Sequence, residues 1–149
     1  MRVIDAHVHM GCNRNTKYYS EEELWRDLRE AGAQGAVIFA FPEDIYRTVD
    51  NVESRSKANE YVLSVAEKSR NLYPFYFVWN DYLIPKNLDR YIGVKWHRHY
   101  DEPRYDYDDP RCRRFLEKIK MLEMPVLLEE EFEETKRFIN ENPETDVII

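Results

Sequence analysis

The apolar positions of this chain switch between two periods, and the switches divide it into alternating elements. Residues 2–9 form a short apolar run closed by Gly11 and read as a buried strand. Ser20 and Glu23 then make a capping-box pattern, Leu24, Trp25, Leu28 and Ala31 follow at helical spacing, and Gly32 closes the helix. Residues 35–41 are a second apolar run. Between 52 and 70, Ala58, Tyr61, Val62, Val65 and Ala66 return to the helical period. Residues 72–79 predict a third, aromatic-rich strand, and 88–97 contain a fourth around Ile92–Trp96. Asp109 and Pro110 open a helix carrying Phe115, Leu116, Ile119 and Leu122. A fifth strand at 125–128, a helix at 131–140 and the start of a sixth strand at 145–149 complete the pattern.

Strand and helix alternating through short links are the mark of parallel βαβ units. The strands read apolar on both faces, as expected where helices cover a parallel sheet. The chain is therefore α/β, and its 149 residues fit one domain. The stretch 100–109, polar with interleaved tyrosines, reads as a loop leaving the fourth strand; most such loops are solvated, and this one would overhang the C-terminal rim.

Composition narrows the function. The net charge of −7 argues against a nucleic-acid or anionic-membrane surface. No apolar run is long enough to span a bilayer, and no leader precedes the first strand, so the expectation is a soluble cytoplasmic protein. Cys12 and Cys112 form neither a metal-binding pair nor a disulfide framework. Each reads as a packing residue, although Cys12 stands three residues past His9.

The chemistry concentrates in the histidines. There are four, in two pairs, His7-Val8-His9 and His97-Arg98-His99. Residues i and i+2 of a strand point to one face, about 7 Å apart along the backbone. The first pair can therefore converge on one cation, as zinc requires. Both rings would leave the C-terminal end of a parallel strand, where α/β barrels build active sites. Asp5 shares their parity and could support that shell. On the fourth strand, Lys95 and His97 share a face. A lysine there can pair with a carboxylate, hold an anionic substrate, or become carbamylated and bridge two metals. Glu129 ends the fifth strand, where a carboxylate can bind metal or take a proton, while Glu130 and Glu131 read as the solvated start of the next helix.

These residues carry a resemblance. Residues 3–11 (VIDAHVHMG) resemble the first-strand signature of the amidohydrolase superfamily, in its amidohydrolase-related branch of TIM-barrel metal-dependent hydrolases. Gly93-Val-Lys-Trp-His97 is similar to that branch's fourth-strand G-x-K-x-H. Asp109-Pro110 followed by residues 124–128, and the run 143–149, resemble its approaches to the fifth and sixth strands. The likeness implies a parallel (β/α) TIM-type barrel with about six of its eight strands in this chain. The expectation is that a C-terminal portion, a barrel-completing segment or a further copy supplies the rest.

The resemblance also implies a divalent metal held by His7 and His9, with Glu129 as ligand or base and Lys95 and His97 contacting metal or substrate. Such an enzyme hydrolyses an amide, ester or lactone of a small molecule. Glu129 stands where the family usually has histidine, which favours harder cations. Zinc is the first expectation and manganese the alternative. The competing readings are a metal-dependent phosphoesterase of the polymerase-and-histidinol-phosphatase kind, and a barrel without catalysis that binds a ligand or partner.

Overall fold

The computed structural model describes residues 2–12, 18–41, 52–98 and 104–149. His99 and residues 100–103 of the acidic loop lie outside them. Two compact units make up the chain, one ending at Phe75 and one beginning at Tyr76.

The first unit contains β1 (Ile4–Met10), α1 (Glu21–Ala31), β2 (Gly35–Ala40), α2 (Val52–Ala66) and the greater part of β3 (Leu72–Phe77). Its strands lie in chain order and pair in parallel, with Val8 opposite Ile38 and Ala36 opposite Leu72. Helix α1 forms where its caps direct it. Ser20 Oγ accepts the Glu23 N–H at 3.2 Å, and Glu23 Oε2 accepts the Ser20 N–H at 2.9 Å. Gly32 ends the helix in the left-handed region at φ 69°, where a side chain is disfavoured. The buried residues Leu24 and Leu28 stand one turn apart on α1, each contributing about 1.5–3 kcal/mol by leaving water.

The expectation of a fully buried first strand is corrected. Asp5, Ala6 and His7 are exposed, and Met10 is the one residue of β1 buried outright. Among the described residues β1 pairs in the ladder with β2 alone. The register also slips between Asp5 and Val8. Three steps along β1 match two along β2, which is a β-bulge around Ala6 and His7.

The second unit holds the tail of β3, then β4 (Gly93–His97), α3 (Pro110–Met121), β5 (Val126–Glu129), α4 (Phe132–Glu141) and β6 (Val147–Ile148). β4, β5 and β6 are parallel neighbours in chain order. Asp109 caps α3 by accepting the Arg111 N–H at 2.7 Å, with Pro110 in the first turn. The core of this unit surrounds Trp96, which is fully buried. Tyr105, Phe138 and Tyr107 stand 4.7, 5.4 and 5.9 Å from its ring.

Those tyrosines correct the reading of the acidic loop as solvated. Tyr105 and Tyr107 are buried, and Tyr105 Oη lies 2.9 Å from the Val78 carbonyl and 3.0 Å from that of His97. Alternation places the aromatics inward while Asp106 and Asp108 face water. No helix among the described residues is long and apolar enough to cross a membrane.

Candidate metal and proton-transfer site

Two clusters carry the chemistry, one in each unit. In the first, the rings of His7 and His9 converge. Their Nε2 atoms lie 3.3 Å apart, and the ring planes meet edge to face. His9 Nδ1 stands 2.9 Å from the Ala40 carbonyl oxygen. That oxygen can only accept, so Nδ1 carries the proton and Nε2 holds the lone pair. Phe39 stands edge-on to both rings, and Phe41 stacks on His9 at 4.9 Å. His9 is thus packed against two aromatic rings.

The bulge decides how His7 is presented. A bulge leaves one residue outside the regular ladder, and here the Asp5 carboxylate accepts the His7 backbone N–H at 3.0 Å. Asp5 thus supports the histidine pair through the main chain, not through a ring. Spacing suggested its parity; only the register shows its task.

A cleft of about 410 Å³ opens beside the pair, lined by His7, His9, Asp5, Tyr19, Asp27 and Phe41 together with apolar residues of α1. Tyr19 donates to Asp27 Oδ2 at 2.7 Å. That bond lowers the Asp27 carboxyl below its usual value. Burial and the same carboxylate hold the Tyr19 phenol above its own. Neither residue stood out in the sequence. The signal available was their flanking of the Ser20 cap, one residue before it and seven after. Cys12 lines a different cavity, with Tyr18 and Tyr61.

Two nitrogens each 2.0–2.1 Å from one tetrahedral centre stand about 3.3–3.4 Å apart. The His7–His9 spacing matches that edge. The pair therefore fits two positions of a four-coordinate cation. Among the described residues, no group of three or more His, Cys, Asp or Glu side chains is placed to complete such a site.

The second cluster lies across β4 and β5. His97 and Glu129 are register partners. Glu129 Oε2 lies 2.6 Å from His97 Nδ1 and 2.9 Å from Lys95 Nζ. Burial draws the Glu129 carboxyl upward, but the Lys95 hydrogen bond and the charges beside it prevail and bring it down to about 2. Burial lowers the Lys95 amine, against the pull of Glu129. Lys95 and His97 thus both contact Glu129.

The residues around this cluster separate by strand face. Trp96 and Arg98 point away from it, Trp96 into the core and Arg98 to Glu131 at 2.8 Å. Glu130 differs from the solvated residue expected: its side chain is 1% exposed, 3.7 Å from Arg98. Burial raises its carboxyl.

No protein-family model matches the chain, and no curated protein matches it. Solved structures do. A probable 2-pyrone-4,6-dicarboxylic acid hydrolase from Acinetobacter baumannii, with citric acid bound, matches at a TM-score of 0.71 and 16% identity, over 99% of this chain and 57% of that one. A 2,6-dihydroxybenzoate decarboxylase from Rhizobium matches at 0.59 and 13%, over 96% and 55%. A dihydroorotase from Campylobacter jejuni matches at 0.54 and 18%, over 99% and 46%. All three neighbours are TIM-barrel members of the amidohydrolase superfamily. The likeness shows the fold, a parallel (β/α) barrel type of which this chain carries six strands. The chain spans about half the length of the structures it matches.

Proposed function

We propose that this chain is part of a metal-dependent hydrolase of amidohydrolase type, acting on an amide, ester or lactone of a small molecule in the cytoplasm. The observation that carries the reading is the 3.3 Å approach of the His7 and His9 Nε2 atoms at the end of β1. The barrel-type fold shared with amidohydrolase-superfamily enzymes supports it.

In this reading His7 and His9 hold a divalent cation, zinc first and manganese next. Such an ion supplies a water of lowered pKa and polarises the scissile carbonyl. His9 meets that task through Ala40, which fixes the tautomer with Nε2 as donor atom. Phe39 stands edge-on to both rings and Phe41 stacks on that of His9. Glu129 stays ionised, with Lys95 offsetting its charge, and His97 stands against it as the group that exchanges a proton. Glu129 has a second oxygen besides the one given to Lys95 and His97, and this Oε1 is the atom open to a ligand or base role.

The test is metal content. The full chain, loaded with zinc or manganese and freed of excess, is expected to retain about one equivalent, and the double variant His7→Ala/His9→Ala to retain none. Unchanged content in the double variant removes the mechanism. Panels of lactones, esters and amides set against phosphomonoesters then separate the hydrolase from a phosphoesterase. One observation favours a ligand-binding barrel without catalysis: Glu129, in the family's histidine place, has one oxygen committed to Lys95 and His97. Metal retention without turnover on any panel would select it.

A further inference from the structure

Lys95 and His97 both reach Oε2 of Glu129. They leave the same side of β4, two residues apart, and come from the interior. Lys95 is 1% exposed and His97 5%, whereas the Glu129 side chain is half exposed. Oε2 of Glu129 forms an ion pair with the Lys95 ammonium, so the group is a carboxylate, and a carboxylate only accepts. The 2.6 Å contact is therefore a bond donated by His97 Nδ1, short as charge-assisted bonds are.

The two nitrogens of an imidazole are not equivalent, and the partner of one decides the state of the other. We propose that Glu129 is a positioning residue for His97: it fixes the ring in the Nδ1–H form and leaves Nε2 as the lone-pair nitrogen, while Lys95 holds the carboxylate in place. The main chain around the ring is fixed as well. Arg98 N–H donates to the Glu129 carbonyl at 2.9 Å, and Tyr105 Oη holds the His97 carbonyl at 3.0 Å. Phe77 stands 6.2 Å from the ring on the neighbouring strand. The backbone thus sets where the ring sits, and Glu129 sets which nitrogen carries the proton. A carboxylate on Nδ1 also makes Nε2 the more basic atom.

The assignment goes beyond pairing a buried lysine. An ion pair that served only to neutralise Lys95 would leave the proton arrangement on His97 indifferent to Glu129. The two roles therefore differ in an observable of His97. What His97 does with its Nε2 lone pair rests on the hydrolase reading; the ring form itself does not.

The experiment is a long-range proton–nitrogen correlation spectrum of the full chain, labelled at histidine nitrogen, near neutral pH and without added metal. It reports which nitrogen of each ring is protonated. The His97 pattern is identified by its disappearance in His97→Gln. The wild type is expected to show a protonated Nδ1 and an unprotonated Nε2 at His97. Glu129→Ala is expected to lose that pattern, with the proton appearing on Nε2, while thermal melting confirms a folded chain. A wild-type His97 with a proton on Nε2 overturns the proposal, and so does an unchanged Nδ1–H pattern in Glu129→Ala. The wild-type spectrum decides the ring form even if the variant does not fold. Loss of the metal reading would show at His7 and His9 in zinc retention and leave the His97 pattern as it is, so the two failures are distinct.

Discussion

The ring of His9 is tied to the Ala40 carbonyl across β1 and β2, Nδ1 to oxygen at 2.9 Å. A single backbone bond thereby decides that Nε2 of His9 faces Nε2 of His7. The pair is assembled from a strand, its bulge and two aromatic neighbours, Phe39 on β2 and Phe41 just past its end.

If these rings share a cation, their contributions to its affinity are graded. His7→Ala and His9→Ala each remove a ligand and are expected to weaken zinc binding by on the order of a hundredfold or more, beyond the roughly 10–100-fold cost of losing an outer partner. Asp5→Ala removes only the support of the His7 N–H at the bulge, and its loss should be the smaller one. Isothermal titration with zinc reads all three. Equal losses for Asp5 and the histidines would mean that Asp5 is itself a ligand.

The main chains of Gly35 and Asn71 lie close together. A Cβ on Gly35 would stand 2.1 Å from the Asn71 carbonyl oxygen, the same oxygen that accepts the Ala36 N–H at 3.1 Å. Gly35→Ala must push β2 from β3 or lose that bond. A destabilisation of about 1–3 kcal/mol or more is expected from the overpacking alone. Gly32→Ala is the comparison, since nothing lies within 4 Å of its Cβ and its cost comes from φ 69°. It should lose only about 1 kcal/mol. Urea denaturation measures both, and a Gly35→Ala no worse than Gly32→Ala would contradict the close approach.

The parts of this structure that are local were legible in the sequence. The Ser20–Glu23 box and the Asp109–Pro110 start depend on residues within one turn, so their pattern specifies their geometry. The fold class follows from the repeated change of apolar period, and the direction of Lys95 and His97 from strand alternation. What depended on register was not legible. The bulge beneath His7 exists only in the pairing of β1 with β2. The contact of Glu129 with Lys95 and His97 needed the alignment of β4 with β5. Tyr105 and Tyr107 look solvated among aspartates until Trp96 is placed beneath them. Glu130 is buried for the same kind of reason, because its partners Arg98 and Tyr107 come from other elements.

Tyr105 makes that tertiary dependence measurable. Its hydroxyl serves the carbonyls of Val78 and His97 from a buried position. Tyr105→Phe keeps the ring against Trp96 and removes only the hydroxyl, leaving buried acceptors without that donor. The expected loss is about 1–3 kcal/mol, read by thermal melting and by tryptophan fluorescence. A loss below a few tenths of a kcal/mol would mean that the loop holds its place by ring packing alone.

The two cysteines predict opposite reactivities and a stability change in alkali. Cys12 is exposed and Cys112 buried. Burial pushes the Cys112 thiol up to about 12 from its ordinary 9.0, against a hydrogen bond from Tyr82 that lowers it. In the unfolded chain the thiol ionises at the ordinary value; in the folded chain it stays protonated beyond it. Its contribution to stability is thus complete below pH 9 and is lost as the pH rises from 9.0 towards 12. Across that window this one group should tilt the stability curve by up to about 1.4 kcal/mol per pH unit. Lysines and tyrosines titrate in the same range, so the comparison is with Cys112→Ala, whose stability should fall less steeply with pH. A disulfide reagent at pH 8 should label one thiol of the native protein quickly and the second only in denaturant. Equal alkaline slopes, or two fast thiols in the native protein, would place Cys112 within reach of solvent.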